Sequence, residues 1–213
     1  MTDNTSFIEK SRVERYSDEW MTLSALTYND LVPSYFWPAL LIPVDGFKND
    51  DELPPDAKDF LRGYAGSGKR SAMIVGNVGT GKTWLAYRLL RYLTDFEVAT
   101  NRVQPGFDVN FIAEDDLMRG RRPNGAIDEV DFDRQFRRTK LLGIDDLGTA
   151  KDSEFTEAEM FSLVNFRYSN VLPTIFTSNV ATDDLAAKLG DRILDRLEGM
   201  CEFIVLTGES RRK

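Results

Sequence analysis

Ser71-Ala72-Met73-Ile74-Val75 runs straight into Gly76-Asn77-Val78-Gly79-Thr80-Gly81-Lys82-Thr83. The first five residues are a short apolar run of the kind that fills a buried strand, and the next eight fit G-x-x-x-x-G-K-[ST]. Beyond them the period changes. Leu85, Ala86, Leu89, Leu90 and Leu93 recur at the spacing of a helix that packs one face on a sheet. A glycine loop between a strand and a helix is suited to phosphate. Gly76, Gly79 and Gly81 let the backbone aim its N–H groups at phosphate oxygens, and the helix N-terminus adds a favourable dipole. Lys82 is placed to reach the β- and γ-phosphates and the Thr83 hydroxyl to ligate Mg²⁺. The bland alternative, a glycine turn with a solvated lysine, does not explain a full match in this strand-to-helix context. All eight residues, Gly76 through Thr83, are expected to bind nucleotide, with ATP and Mg²⁺ as cofactors.

Outward from the loop the chain alternates between short apolar runs and helical periods. Further strands are expected at Asp108–Ile112, Leu141–Asp145, Thr174–Thr177 and Phe203–Leu206. Thr156 with Glu159 reads as a capping box opening a helix through Phe161, Leu163, Val164 and Phe166, and Asp184–Met200 reads as mostly helical. A helix is also expected upstream, over about Asp56–Tyr64. Five strands separated by helices imply a three-layer α/β sandwich around a five-stranded parallel sheet. Before it, residues 5 to 26 carry Phe7, Ile8, Val13, Tyr16, Trp20 and Leu23 at roughly helical spacing, and 28 to 47 are rich in aromatics and proline. Two units follow: a short helical extension over 1–27 and an ATPase domain over 28–213.

The composition bounds the function. At 213 residues and 42% hydrophobic content, the chain has material for one sizeable core. The longest apolar stretch, Tyr35 to Val44, is broken by Pro38 and Pro43 and falls far short of the ~20 residues that span a bilayer. No signal-peptide pattern opens the chain, so a cytoplasmic protein is expected, with no membrane partner. One cysteine and no histidine exclude disulfides within the chain, zinc ribbons and histidine catalysis. A net charge of −8 argues against a surface coated for general duplex binding, though a local basic track remains open. Arg119, Arg121 and Arg122, followed by Arg134, Arg137 and Arg138, are either such a track or a solvated helix and loop face.

Three more places carry candidate chemistry. Leu141 to Ile144 is apolar and ends in Asp145 and Asp146. A carboxylate at that strand end is where Mg²⁺ has to be held, a role given to Asp145. Asp146 is then the group that orients or deprotonates the attacking water. Asn179, ending the strand at Thr177-Ser178-Asn179, can position that water or simply form a turn. Arg192 and Arg196 sit four apart on one helix face; spacing alone leaves open whether they form surface pairs with Asp191 and Asp195 or reach a neighbour's γ-phosphate.

Taken in order, these motifs resemble a known family. The phosphate loop, Leu141–Asp146, Asn165–Tyr168, Leu172–Asn179, Leu189–Ile193 through Arg196-Leu197, and Gly208–Arg211 are similar to the DnaC/DnaI-type replicative helicase loaders and to the IstB-type transposition helper ATPases. Val32–Phe36 also resembles the segment before the ATPase core there, so the likeness covers about residues 28 to 212. The resemblance implies an AAA+ P-loop NTPase fold of the ASCE type without a C-terminal lid domain. It implies Walker A at Gly76–Thr83, Walker B at Asp145 and Asp146, and sensor 1 at Asn179. It raises Arg196 to the arginine-finger position, which implies self-assembly, with Arg192 assisting, Arg167 a weaker candidate for an inter-subunit contact and Arg211 a nucleotide-sensing arginine. It also implies single-stranded DNA bound along an inserted segment, here about Glu114 to Arg138. One departure is that DnaI-type loaders carry a zinc-binding N-terminal domain, which a single cysteine cannot build.

The leading expectation is an ATP-dependent loader that engages a replicative hexameric helicase and single-stranded DNA. A transposition helper acting on duplex DNA with a transposase is the second, and a nucleotide-switched binding adaptor with little turnover the third.

Overall fold

The computed structural model describes residue 39 and residues 47–66, 68–99, 109–151 and 153–208. The extension over 1–27, most of the proline-rich stretch after it, and Arg211 lie outside the described residues. The elements are α1 (Pro55–Ala65), β1 (Ser71–Gly76), α2 (Lys82–Ala99), β2 (Val109–Ala113), α3 (Glu114–Arg121), α4 (Glu129–Phe132), a π-helical turn (Asp133–Arg137), β3 (Leu141–Asp145), α5 (Glu154–Ser169), β4 (Thr174–Ser178), α6 (Leu185–Leu189), α7 (Asp191–Met200) and β5 (Cys201–Leu206). The strands form one sheet in the order β2-β3-β4-β1-β5, every neighbouring pair parallel. No helix among the described residues is long and apolar enough to cross a membrane.

Strand alternation divides the core in two. Met73, Val75, Leu142, Ile144 and Phe176 point to one face, where Leu117, Phe132, Phe136, Leu163, Ile193 and Leu197 cover them from α3 to α7. Ala72, Ile74, Leu141, Ile175 and Ile204 point to the other, against Phe60 and Tyr64 of α1 and Leu85, Leu89, Leu90 and Leu93 of α2. Both faces are buried, so the strands read as continuous apolar runs rather than as alternation with polar residues. Gly143 marks a tight approach within the sheet: a Cβ there would meet the Phe111 ring at 2.1 Å.

Two local expectations need correction. The cap of α5 is Ser153, whose hydroxyl accepts from the Thr156 N–H at 3.1 Å, so the cap lies three residues before Thr156 and the helix opens at Glu154. Two hydroxyl residues compete here, and Thr156 instead turns its own hydroxyl back to the Lys151 carbonyl at 3.0 Å. The helical stretch to Met200 is also broken, since Gly190 at φ 81° separates α6 from α7.

Candidate nucleotide site

Because β4 lies between β1 and β3, the phosphate loop and the acidic strand end meet across it. The register sets Ile74 beside Thr177 and Ile144 beside Phe176, so the C-terminal ends of the three strands share one edge. The loop turns through Gly79 at φ 84° and Gly81 at φ 96°, conformations that an L side chain rarely adopts. At Gly76 a Cβ would come within 2.5 Å of the Leu206 carbonyl oxygen, so the strand packs on β5 only without one. The Lys82 Nζ donates to the Asn77 carbonyl at 2.8 Å, spanning the loop, and Thr80 donates to the same oxygen at 2.9 Å. Asn77 and Val78 stand exposed at the crest.

Asp145 sits under the loop. Its Oδ1 and Oδ2 lie 3.1 and 3.0 Å from the Thr83 hydroxyl, and Thr177 donates to Oδ1 at 2.5 Å. Burial pushes the Asp145 carboxyl above the usual range, with the neighbouring Asp146 charge adding to it, against the hydrogen bonds and the charge of Lys82. A hydroxyl and a carboxylate oxygen close together are hard donors suited to Mg²⁺, which takes few protein ligands and completes its shell with phosphate and water. Asp146 occupies the left-handed region at φ 54°, where aspartate is tolerated. Its N–H is held by the Thr177 hydroxyl at 2.9 Å and its Oδ1 by the Asn179 amide at 2.7 Å.

Two features at this edge escaped the sequence reading. Glu114, buried at the start of α3, accepts three backbone N–H groups on Oε2, from Gly148, Thr149 and Ala150 at 2.8–3.0 Å. Burial pushes its carboxyl up in spite of these bonds. It thereby fixes the loop just after Asp146. On the other side, Asp50 is buried and takes Arg88 of α2 in a bidentate pair at 2.7 and 2.8 Å, with the Tyr92 hydroxyl at 2.6 Å. This ties down residues 51–55, which with Trp84 and Leu206 line a cleft of about 280 Å³ beside Thr80 and Gly81.

The arginines sort differently from expectation. Arg167 is no inter-subunit contact: it is fully buried, donating to Thr174 Oγ1 and to the carbonyls of Phe136, Arg137, Thr139 and Pro173. Arg121 is also turned inward, paired with Glu159 at 2.8 Å and Glu129 at 2.6 Å and stacked on Phe132, which removes it from a DNA track. Arg119 pairs with Asp115 and Asp116 of its own helix, whereas Arg122 is exposed with no ion pair among the described residues. Arg134, Arg137 and Arg138 pair with Asp131, Glu129 and Asp133. Arg192 is exposed, 3.8 Å over the Phe161 ring. Arg196 bonds Asn165 at 3.2 Å, pairs with Asp195 and lies over Tyr168.

The sequence profile of the family described as IstB-like ATP binding protein matches residues 62–213. Replicative helicase loader DnaI of Bacillus subtilis (strain 168) is 26% identical over 168 residues, 72% of this chain and 51% of DnaI. Replicative helicase loader DnaC of Escherichia coli (strain K12) is 25% identical over 146 residues, 67% of this chain and 56% of DnaC. The chain thus spans about half the length of the curated relatives it matches. Among solved structures, the crystal structure of the DnaC helicase loader shares the fold at a TM-score of 0.62 and 21% identity, over 82% of this chain and 100% of that one.

Proposed function

The chain belongs to the family of IstB-like ATP binding proteins, and on that premise we propose that it is an ATPase that loads a replicative ring helicase onto single-stranded DNA. The observation that carries the ATPase reading is the convergence of Thr83, Asp145, Asp146 and Asn179 around the phosphate loop. In this reading the loop N–H groups and Lys82 hold the phosphates, and the cleft lined by Leu53, Pro54, Trp84 and Leu206 takes the base. Thr83 and Asp145 would hold Mg²⁺, which when bound neutralises charge on the β- and γ-phosphates. Asp146 accepts a proton from the attacking water through the oxygen that Asn179 leaves unengaged. Arg196 completes a neighbouring subunit's site, with Arg192 beside it, so that ATP controls assembly.

The loader reading is supported by the similarity to DnaI and DnaC, and the alternating apolar and charged residues of 5 to 26 motivate assigning residues 1–27 to helicase contact. Arg119, Arg122, Arg134 and Arg138 are the exposed arginines of the Glu114–Arg138 segment left to meet DNA. The test is pull-down of the replicative helicase by the full chain with ATP, followed by helicase transfer to single-stranded DNA. Transfer that needs ATP and is lost with Asp146→Asn supports the reading; transfer indifferent to both refutes it. The match to the IstB-like family, together with the resemblance to IstB-type transposition helpers, keeps a transposition helper as the second reading, which the same assay with duplex DNA and a transposase distinguishes.

A further inference from the structure

We infer that Thr177 is a positioning residue that sets both acidic groups of the proposed ATPase site through one hydroxyl. A hydroxyl has one proton to give and two lone pairs to receive with. Here the proton goes to Asp145 Oδ1 at 2.5 Å, and the oxygen accepts the Asp146 N–H at 2.9 Å. Both partners are thereby fixed in direction. Thr177 is itself immobile: it is fully buried, and its carbonyl accepts from the Leu147 N–H at 2.7 Å. Sheet order explains why the task falls to β4, the strand between the phosphate-loop strand and the acidic strand.

For Asp145 the bond holds Oδ1 from the β4 side while both carboxylate oxygens stay at 3.0–3.1 Å from the Thr83 hydroxyl, so the carboxylate is kept facing the residue proposed to share the cation. For Asp146 it anchors the N–H of a residue in the left-handed region, which fixes the backbone from which the carboxylate reaches the Asn179 amide. Thr177 touches neither nucleotide nor water in this account. It acts through the two aspartates.

The inference rests on the ATPase reading, and its test separates the two. Thr177→Val keeps the shape and removes the hydroxyl, while Thr177→Ser keeps the hydroxyl. Mn²⁺ binding is followed by electron paramagnetic resonance with a non-hydrolysable ATP analogue, and Asp145→Asn serves as control. Thr177→Val is expected to weaken Mn²⁺ binding by about 10-fold to 100-fold, as loss of a partner behind a metal ligand does, with metal-free nucleotide affinity unchanged. Thr177→Ser is expected to restore it, and hydrolysis by Thr177→Val to stay depressed at saturating metal because the Asp146 anchor is gone. If Thr177→Val is too unstable to purify, Thr177→Ala takes its place. Wild-type Mn²⁺ affinity in the valine or alanine variant, with the control impaired, overturns the inference. Wild-type affinity in Asp145→Asn overturns the metal assignment itself, and the inference with it.

Discussion

Replacing Asp50 by Asn tests whether the segment before α1 is held by charge. Asp50 is 1% exposed and Arg88 2%, so their pair is out of water on both sides. The carboxylate accepts two guanidinium N–H groups and the Tyr92 hydroxyl, while burial alone opposes its ionised form; the bonds win and hold its carboxyl below the usual 3.8. The neutral amide leaves Arg88 with only Glu52, 3.0 Å away and largely exposed, as a charge partner among the described residues. Breaking a buried pair from one side costs about 3–5 kcal/mol. At about 2–4 °C per kcal/mol for a chain of this size, Tm falls by about 6–20 °C. The sign with pH follows from the depressed carboxyl: its contribution is complete above 3.8 and is lost as pH falls through the lower folded value. Urea unfolding of both proteins across pH 7 to pH 3 is the assay, and the gap between them should narrow only at the acid end. Residues 51–55 line the cleft beside the loop, so nucleotide affinity should fall too. Equal stability at pH 7, or a gap that widens in acid, would refute the reasoning.

Three further outcomes are expected. Lys82→Ala should weaken ATP binding by on the order of tenfold or more, read by fluorescent-nucleotide titration, since a charge-assisted bond to phosphate is lost. Arg167→Leu should destabilise the fold by about 3 kcal/mol or more, because buried carbonyls lose their donor; a stable variant that fails only in self-assembly would return Arg167 to an interface. Cys201 is fully buried and burial pushes its thiol up, so a thiol reagent should label it only as fast as the protein unfolds.

The strands and the phosphate loop were legible because their signals are local. A glycine loop after an apolar run specifies itself within thirteen residues. Asp145, Asp146 and Asn179 were legible as strand-end polar residues, and the structure brings them together with Thr83. What stayed hidden was decided by long-range pairing. Nothing near Glu114 indicates that its carboxylate will grip the loop at Gly148, nor does anything near Asp50 point to Arg88. Arg121 and Arg167 misled for the same reason. An arginine reads as surface charge until the glutamates and carbonyls that enclose it arrive from Glu129, Glu159 and the ends of β3 and β4. Nothing in Thr177-Ser178-Asn179 singles out the threonine, because the lateral order of parallel strands is not written in any one of them.

That lateral order also bears on how the protein comes to be folded. β1 pairs only with β4 and β5, and β3 only with β2 and β4, so β4 is the single seam joining two half-sheets. A growing chain delivers the phosphate loop early and the acidic strand next, yet neither half can present a complete edge until Thr174–Ser178 slots between them. Such non-local docking is a slow class of folding event. The strand-end site that joins the phosphate loop to Asp145 and Asp146 is therefore whole only once β4 is in place.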